Sequence, residues 1–452
     1  MSQIAHSSPF TMRLVFGIMM LLGVLSQYLV TVISAKHNKN PLVVLMLDGF
    51  RYNYLDKVVN NPGGFNEFLT KGVRAEWVNG VFPTLSYPSW TTLSTGLYPE
   101  SHGILGNYFF SRDHNKQFLL EGANNETFWW SKAEPIWTTA TKNGLRVATI
   151  LWSRSDVPVH GVLPEKNQGY FVARGVQAIE KTLNKVVSYL DEGFDLVMAY
   201  GEHIDNMGHS KGPESYEVQQ GLLDVGKALQ EFFNALEIKN LKDKTNIVIV
   251  SDHGMTSHTS FINLYENLPK DDILHVMDQG ALALVYLKEG HSPTNTYETL
   301  KKATKSISVY LKEEIPKSFN YSKSQDCPDI LVVAKPGYTI KGALDDFQVP
   351  ETWKETSMRG LHGYLPSMPD MRTIFFGIGP GFKKMGIMVP PIDLVDIYQI
   401  YCNLLQIPAQ PNNGTFEKVK NFLVKANISD GNSMHKFDIL FMFSMLIFKI
   451  LM

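Results

Sequence analysis

Four short segments carry the side chains through which this chain could do hydrolytic chemistry. Asp48 lies in Asp48-Gly49-Phe50-Arg51, and Asp205 and His209 lie in Glu202-His203-Ile204-Asp205-Asn206-Met207-Gly208-His209. Asp252 and His253 belong to Ser251-Asp252-His253-Gly254-Met255, and His362 to Arg359-Gly360-Leu361-His362-Gly363-Tyr364. Singly, each has an ordinary explanation: Asp-Gly is a common turn, and Asp205 with His209, four residues apart, could be a surface pair on one helix face. Adjacent residues of a strand point oppositely, so Asp252 and His253 reach one centre only where the backbone turns, which Gly254 allows. As a set, three carboxylates and three imidazoles with no cysteine cluster nearby match the oxygen and nitrogen donors of a two-metal site, with zinc the natural ion. Two divalent ions against three carboxylates leave about one positive charge, enough to draw an anionic phosphodiester without trapping it. A hydroxyl nucleophile is available in Phe82-Pro83-Thr84-Leu85-Ser86-Tyr87-Pro88. Thr84 or Ser86 could serve at the start of a helix, near its open N–H groups and positive dipole end; a plain serine N-cap explains the same residues.

These segments need elements to position them. Continuous aliphatic runs recur at Leu42 to Leu47, Arg146 to Leu151, Leu196 to Tyr200, Asn246 to Val250 and Thr373 to Gly377. Runs without alternation suit strands buried on both faces of a largely parallel sheet. Between them stand helical periodicities such as Val176, Ile179, Leu183, Val186 and Leu190, or Leu222, Val225, Leu229, Phe232 and Leu236. The alternation predicts an α/β class, with a largely parallel central sheet and helices on both faces. In such sheets functional groups gather beyond the carboxyl ends of the strands, where Asp48, Asp205 and Asp252 fall.

Of the 452 residues, 44% are hydrophobic and 19% charged, and 42 basic against 44 acidic side chains give a net charge of −2. That excludes a disordered chain and a general polyanion binder, so no stable nucleic-acid partner is expected. Only Cys327 and Cys402 are present, which excludes a disulfide-dense scaffold; they could form one bridge or remain separate thiols. The apolar stretch from Leu14 to Ala35, after Arg13, reads as a signal peptide or signal-anchor over residues 1–35. The tail from Ile439 to Met452 follows a polar stretch and is short for a span, so residues 431–452 read as an anchor or anchor signal. Sequons at Asn125, Asn320, Asn413 and Asn427 fit a secreted, glycosylated, membrane-tethered protein at the cell surface. No repeat or linker interrupts residues 36–430, which are expected to form one catalytic domain.

The motifs resemble the ectonucleotide pyrophosphatase/phosphodiesterase family of the alkaline-phosphatase-like superfamily. The likeness rests on Leu47-Asp48-Gly49-Phe50-Arg51, Phe82 to Trp90, and Thr95-Gly96-Leu97-Tyr98-Pro99-Glu100-Ser101-His102-Gly103. It continues through Gly106-Asn107-Tyr108, the Asp205, Asp252 and His362 segments, and Pro411-Asn412-Asn413-Gly414-Thr415. The resemblance implies that Asp205, His209 and His362 bind one zinc and that Asp48, Asp252 and His253 bind another. It makes Ser86 the nucleophile and a ligand of the second zinc, in a position where many members carry threonine, and gives Asn107 the phosphate oxygens. It implies a hydrolase acting through a covalent enzyme-phosphoester on a small phosphodiester. Nucleotides are the favoured substrate class. Ser86 and Ile204 are also like the choline-specific glycerophosphodiesterase branch, which the loop Val157 to Phe171, with His160, Glu165 and Tyr170, matches poorly. Tyr87, Trp90 and Tyr170 could stack a base or cage a choline, and a scaffold retained only for binding is the alternative of a different class.

Overall fold

The structure, a computed structural model, describes residues 40–424 except 121–123, 172, 265–267, 278–279, 342–357 and 385. The expectations for residues 1–35 and 431–452 and for Asn427 lie outside the described residues. No helix among the described residues is long and apolar enough to cross a membrane.

An eight-stranded sheet forms the centre. Its strands are β1 (Leu42–Leu47), β2 (Val73–Ala75), β3 (Val147–Ile150), β4 (Lys166–Gln168), β5 (Leu196–Gly201), β6 (Asn246–Val250), β7 (Phe375–Ile378) and β8 (Ile387–Val389). They lie in the order β8-β2-β7-β6-β1-β5-β3-β4. The pairs β6-β1, β1-β5, β5-β3, β3-β4 and β8-β2 are parallel, whereas β7 runs antiparallel to both β6 and β2. Every residue of β1, β5 and β6 is buried, as unbroken aliphatic runs require when helices cover both sheet faces.

Two adjacent residues of β5 show that both faces are covered. A Cβ on Gly201 would meet Ile179 of α2 (Val176–Asp191) at 2.9 Å. The ring of Tyr200, pointing the other way, packs 5.2 Å from Trp90 of α1 (Ser86–Thr95). The helices α3 (His203–Lys211) and α4 (Tyr216–Ile238) lie with α2, and α5 (Ile397–Leu405) with α1. The Ser215 side chain caps α4 by accepting from the Val218 N–H at 3.2 Å.

The expected strands are present within a residue or two. Thr373 falls outside β7 because its N–H and carbonyl pair with Val78 instead. A separate antiparallel sheet of Ile273–Met277, Leu282–Leu287, Ile330–Ala334 and Ile307–Leu311 stands between β6 and β7 in the chain. Cys327 and Cys402 are free, buried thiols, so the possible bridge between them does not exist. Burial pushes both up to about 12.

Candidate active site

The three parallel strands at the centre deliver the carboxylates. Asp48 follows β1, Asp205 lies in the first turn of α3 just beyond β5, and Asp252 and His253 follow β6. His362 arrives differently. Because β7 is antiparallel, its first residue Phe375 lies beside Val250, the last of β6, so the loop entering β7 approaches the same sheet edge. Two glycines permit the closeness. Gly49 has φ +68, and a Cβ there would stand 2.8 Å from Asp205; a Cβ on Gly254 would collide with the Asp370 carbonyl at 1.9 Å. Gly254 is therefore required by close approach, a stronger constraint than the turn for which it was expected.

The side chains converge. One ligand-capable group is Asp48, Asp252 and His253, and another is Asp205, His253 and His362, with donor atoms in each lying within 4.8 Å of one another. The first matches the set expected around one ion. In the second, His253 stands where His209 was expected, yet His209 remains adjacent: its Nε2 is 3.5 Å from Asp205 Oδ2 and 3.1 Å from His362 Nε2. The i, i+4 spacing on α3 puts Asp205 and His209 on one face, pointing inward.

Each imidazole is oriented by a main-chain carbonyl. His209 Nδ1 is 2.9 Å from the Gly360 carbonyl, His253 Nδ1 is 3.0 Å from that of Gly254, and His362 Nδ1 is 3.1 Å from that of Thr84. A carbonyl only accepts, so each Nδ1–H donates and each Nε2 turns a lone pair inward, the arrangement typical of metal-binding histidine. His209 and His362 then face each other through two acceptors. The rings of His253 and His362 stack at 3.4 Å. Asp48 Oδ1 and Asp205 Oδ1 are buried with no hydrogen-bond partner. Facing lone pairs and orphaned carboxylate oxygens fit divalent cations well, because only a positive charge offsets their burial together.

The electrostatics agree. Burial, and then the neighbouring Asp252 and Asp205, push Asp48 well above the usual carboxylate range. Burial pushes Asp205 up to about 7, with His253 opposing and Asp252 adding to the shift. Burial lowers His209 and His362, the latter further depressed by His253 and His209.

The two candidate hydroxyls separate cleanly. Thr84 Oγ1 donates to the Tyr364 carbonyl at 2.8 Å and accepts from the Gly363 N–H at 3.1 Å, so it fastens the His362 loop. Ser86 is the first residue of α1 and not its cap, which is Leu85. Its Oγ lies 3.3 Å from His253 Nε2, at the edge of the cluster and on the positive end of a helix. Asn107 Oδ1 accepts from the Tyr87 N–H at 3.0 Å, which orients the amide beside the turn that carries Ser86.

Of the aromatics, Tyr87 and Trp90 are buried, Tyr87 enclosed by Trp90, Phe118 and Trp130. Tyr170 keeps exposed surface and packs 5.2 Å from Trp90 and 5.6 Å from Tyr200. In the same loop, Glu165 is tied to Arg146 at 2.7 Å and His160 to Glu134 at 3.3 Å. Sequence reasoning missed Tyr200, which donates to Asp48 Oδ2 at 2.5 Å, and Glu202, whose carboxyl burial and Asp205 push up to about 7. It also gave Arg51 no role. Tyr200 and Glu202 sit at the end of β5, and that position was the signal available for finding them.

The fold and site define a hydrolase of phosphodiester and pyrophosphate bonds built on an alkaline-phosphatase-like α/β sheet. A family model described as type I phosphodiesterase/nucleotide pyrophosphatase matches residues 42–365, and the chain belongs to the ectonucleotide pyrophosphatase/phosphodiesterase family, among its short single-domain members. It is 32% identical over 402 residues to human ectonucleotide pyrophosphatase/phosphodiesterase family member 5, covering 88% of this chain and 80% of that protein. It is 32% identical over 391 residues to human bis(5'-adenosyl)-triphosphatase ENPP4, covering 85% and 82%. The solved structure of an inactive threonine-to-alanine variant of murine family member 5, in complex with AMP, superposes with a TM-score of 0.78 at 30% identity, covering 85% of this chain and all of that one.

Proposed function

We propose that the protein is a two-zinc nucleotide phosphodiesterase and pyrophosphatase that acts through a covalent phosphoserine intermediate on Ser86. The observation that carries this is the convergence of three carbonyl-anchored histidines on the buried Asp48 and Asp252 and the half-buried Asp205, with the Ser86 hydroxyl 3.3 Å from His253 Nε2. Asp205, His209 and His362 would hold one ion and Asp48, Asp252 and His253 the other, with Ser86 Oγ beside the second. Bound zinc would supply positive charge that lowers the pKa of hydroxyls and balances the phosphate. The helix start holds Ser86 Oγ for in-line attack: the Oγ–P bond forms as the bond from phosphorus to the leaving oxygen breaks. Asn107, anchored through Oδ1, offers its amide N–H to a phosphate oxygen as charge builds there. Water then cleaves the Oγ–P bond and regenerates the serine.

Nucleotides are the favoured substrates because one relative holds AMP and another is a bis(5'-adenosyl)-triphosphatase. The half-exposed Tyr170 gives an aromatic face beside the cluster. A site outside the cell, with attachment through a chain end, is supported by the apolar ends and by the sequons at Asn125 and Asn413, which are exposed, and at Asn320, half-buried. The test pairs elemental analysis with kinetics. Wild type is expected to hold two zincs and to prefer a dinucleoside polyphosphate or ADP over glycerophosphocholine. Ser86→Ala is expected to keep both zincs and lose turnover by about 10³-fold or more. Near-normal turnover in a metal-loaded Ser86→Ala would exclude the serine, preference for the choline ester would reassign the substrate, and a folded, metal-free, inactive wild type would indicate a binding ectodomain.

A further inference from the structure

Both carboxylates of the Asp48, Asp252 and His253 group are held by an aromatic donor, in two different ways. Tyr200 Oη donates to Asp48 Oδ2, which leaves Oδ1, buried and without a hydrogen-bond partner, 3.4 Å from His253 Nε2. Trp90 Nε1 donates at 2.6 Å to Asp252 Oδ2, the oxygen that itself lies 3.3 Å from His253 Nε2. Asp252 Oδ1 is already occupied by the N–H groups of Gly49 and His253 and by the Ser251 hydroxyl. Asp252 therefore has Oδ2 to give a cation, and the indole shares it.

Trp90 is 2% exposed and stands four residues after Ser86 on α1, one turn from the nucleophile. Indole N–H is a donor only, so it orients a carboxylate oxygen without adding charge or competing as a ligand. We propose that Trp90 is a positioning residue that aims Asp252 Oδ2 at one of the two metal positions, and that Tyr200 does the same for Asp48 Oδ1. The inference rests on the metal-binding reading of the site. It adds a physical link between the two halves of the chemistry: the helix that places Ser86 also fixes the carboxylate beside it. Tyr170, packed on both Trp90 and Tyr200, is the rim of the same aromatic group.

Trp90→Phe keeps a ring in the core and removes the N–H, and Tyr200→Phe does the same for the phenol. Loss of such an outer partner typically weakens metal binding about 10–100-fold. In a chelator competition followed by zinc release, each variant is expected to surrender one of its two zincs at about 10–100-fold lower chelator concentration, with the other zinc held as in wild type. The metal-free variants are expected to melt somewhat below metal-free wild type, because each loses a buried hydrogen bond and Trp90→Phe also leaves a small cavity. A packing role alone would loosen both zincs rather than one. A wild type that binds no zinc would remove the metal reading and this inference with it. Two zincs in wild type, held equally well by both variants, would overturn this inference alone. So would an equal weakening of both zincs in each variant, which a general loosening of the core would produce.

Discussion

Thr84 and Ser86 stand two residues apart, and their hydroxyls have opposite fates. Thr84 is wholly buried and satisfies two main-chain groups of the loop that carries His362, while its own carbonyl orients the His362 ring. Thr84→Val would leave the Tyr364 carbonyl and Gly363 N–H without partners, at a cost of about 1–3 kcal/mol. The expected result is a lower melting temperature and weaker zinc retention with the chemical step still measurable, the reverse of Ser86→Ala. Melting curves and single-turnover rates on both variants check this. From segment chemistry alone the two hydroxyls could not be told apart, because the choice depends on partners some 280 residues away in the chain. The six metal-ligand candidates could be named from the sequence because turns and surface pairs explain each of them singly but not the set. Tyr200 and Trp90 could not, since a buried aromatic in a strand or helix looks the same whether or not its polar atom meets a ligand.

At the scale of elements, the aliphatic runs betrayed the strands but not their direction. The Phe375–Ile378 strand reads like its parallel neighbours, yet it is antiparallel, and only that direction carries the His362 loop to the ligand edge. The separate sheet around Leu282–Leu287 went unremarked for a related reason: a short buried run does not say which sheet it joins. What ties the segments of the Asp and His cluster together is Arg51. Its Nε donates to Asn53, and one terminal nitrogen donates to the Met255 carbonyl at 3.2 Å and lies 3.6 Å from Asp370. The other terminal nitrogen pairs with Glu214 beyond α3. One guanidinium thus joins the Asp48 turn, the Asp252-His253 turn, the segment after His209 and the segment after His362. Arg51→Lys keeps the charge but loses the planar fork that spans these partners. It is expected to lower kcat/KM about tenfold or more, chiefly through kcat, with zinc more easily removed. Steady-state kinetics beside zinc analysis would show it, and unchanged values in both would deny Arg51 this role.

For the molecule as a whole, length alone allowed several domains, but among the described residues nearly all the buried apolar side chains form one cluster running from Leu42 to Leu423. His102 sits buried in that framework and bears on how the entire fold responds to acid. Its Nδ1 accepts from the Ile104 N–H at 3.1 Å, so Nε2 carries the proton and donates to Thr92 Oγ1, 3.2 Å away, which in turn donates to the Leu97 carbonyl. The neutral ring is locked between α1 and the chain that follows it. Burial pulls its pKa from 6.5 down to about 3. Because the folded pKa is the lower one, the stability contributed by neutral His102 is fully present above about pH 6.5. It is lost as pH falls from there toward about 3, while the unfolded chain gains a proton that the folded chain refuses. At pH 5 that loss amounts to about 2 kcal/mol. His102→Gln can still accept and donate but has no such proton to take. Denaturant unfolding at pH 7.5 and pH 5 is therefore expected to show a drop smaller by about 2 kcal/mol in the variant than in wild type. Any release of bound metal in acid would affect both proteins alike, so the difference between them isolates His102. Equal drops would mean that the buried ring takes up its proton without unfolding anything.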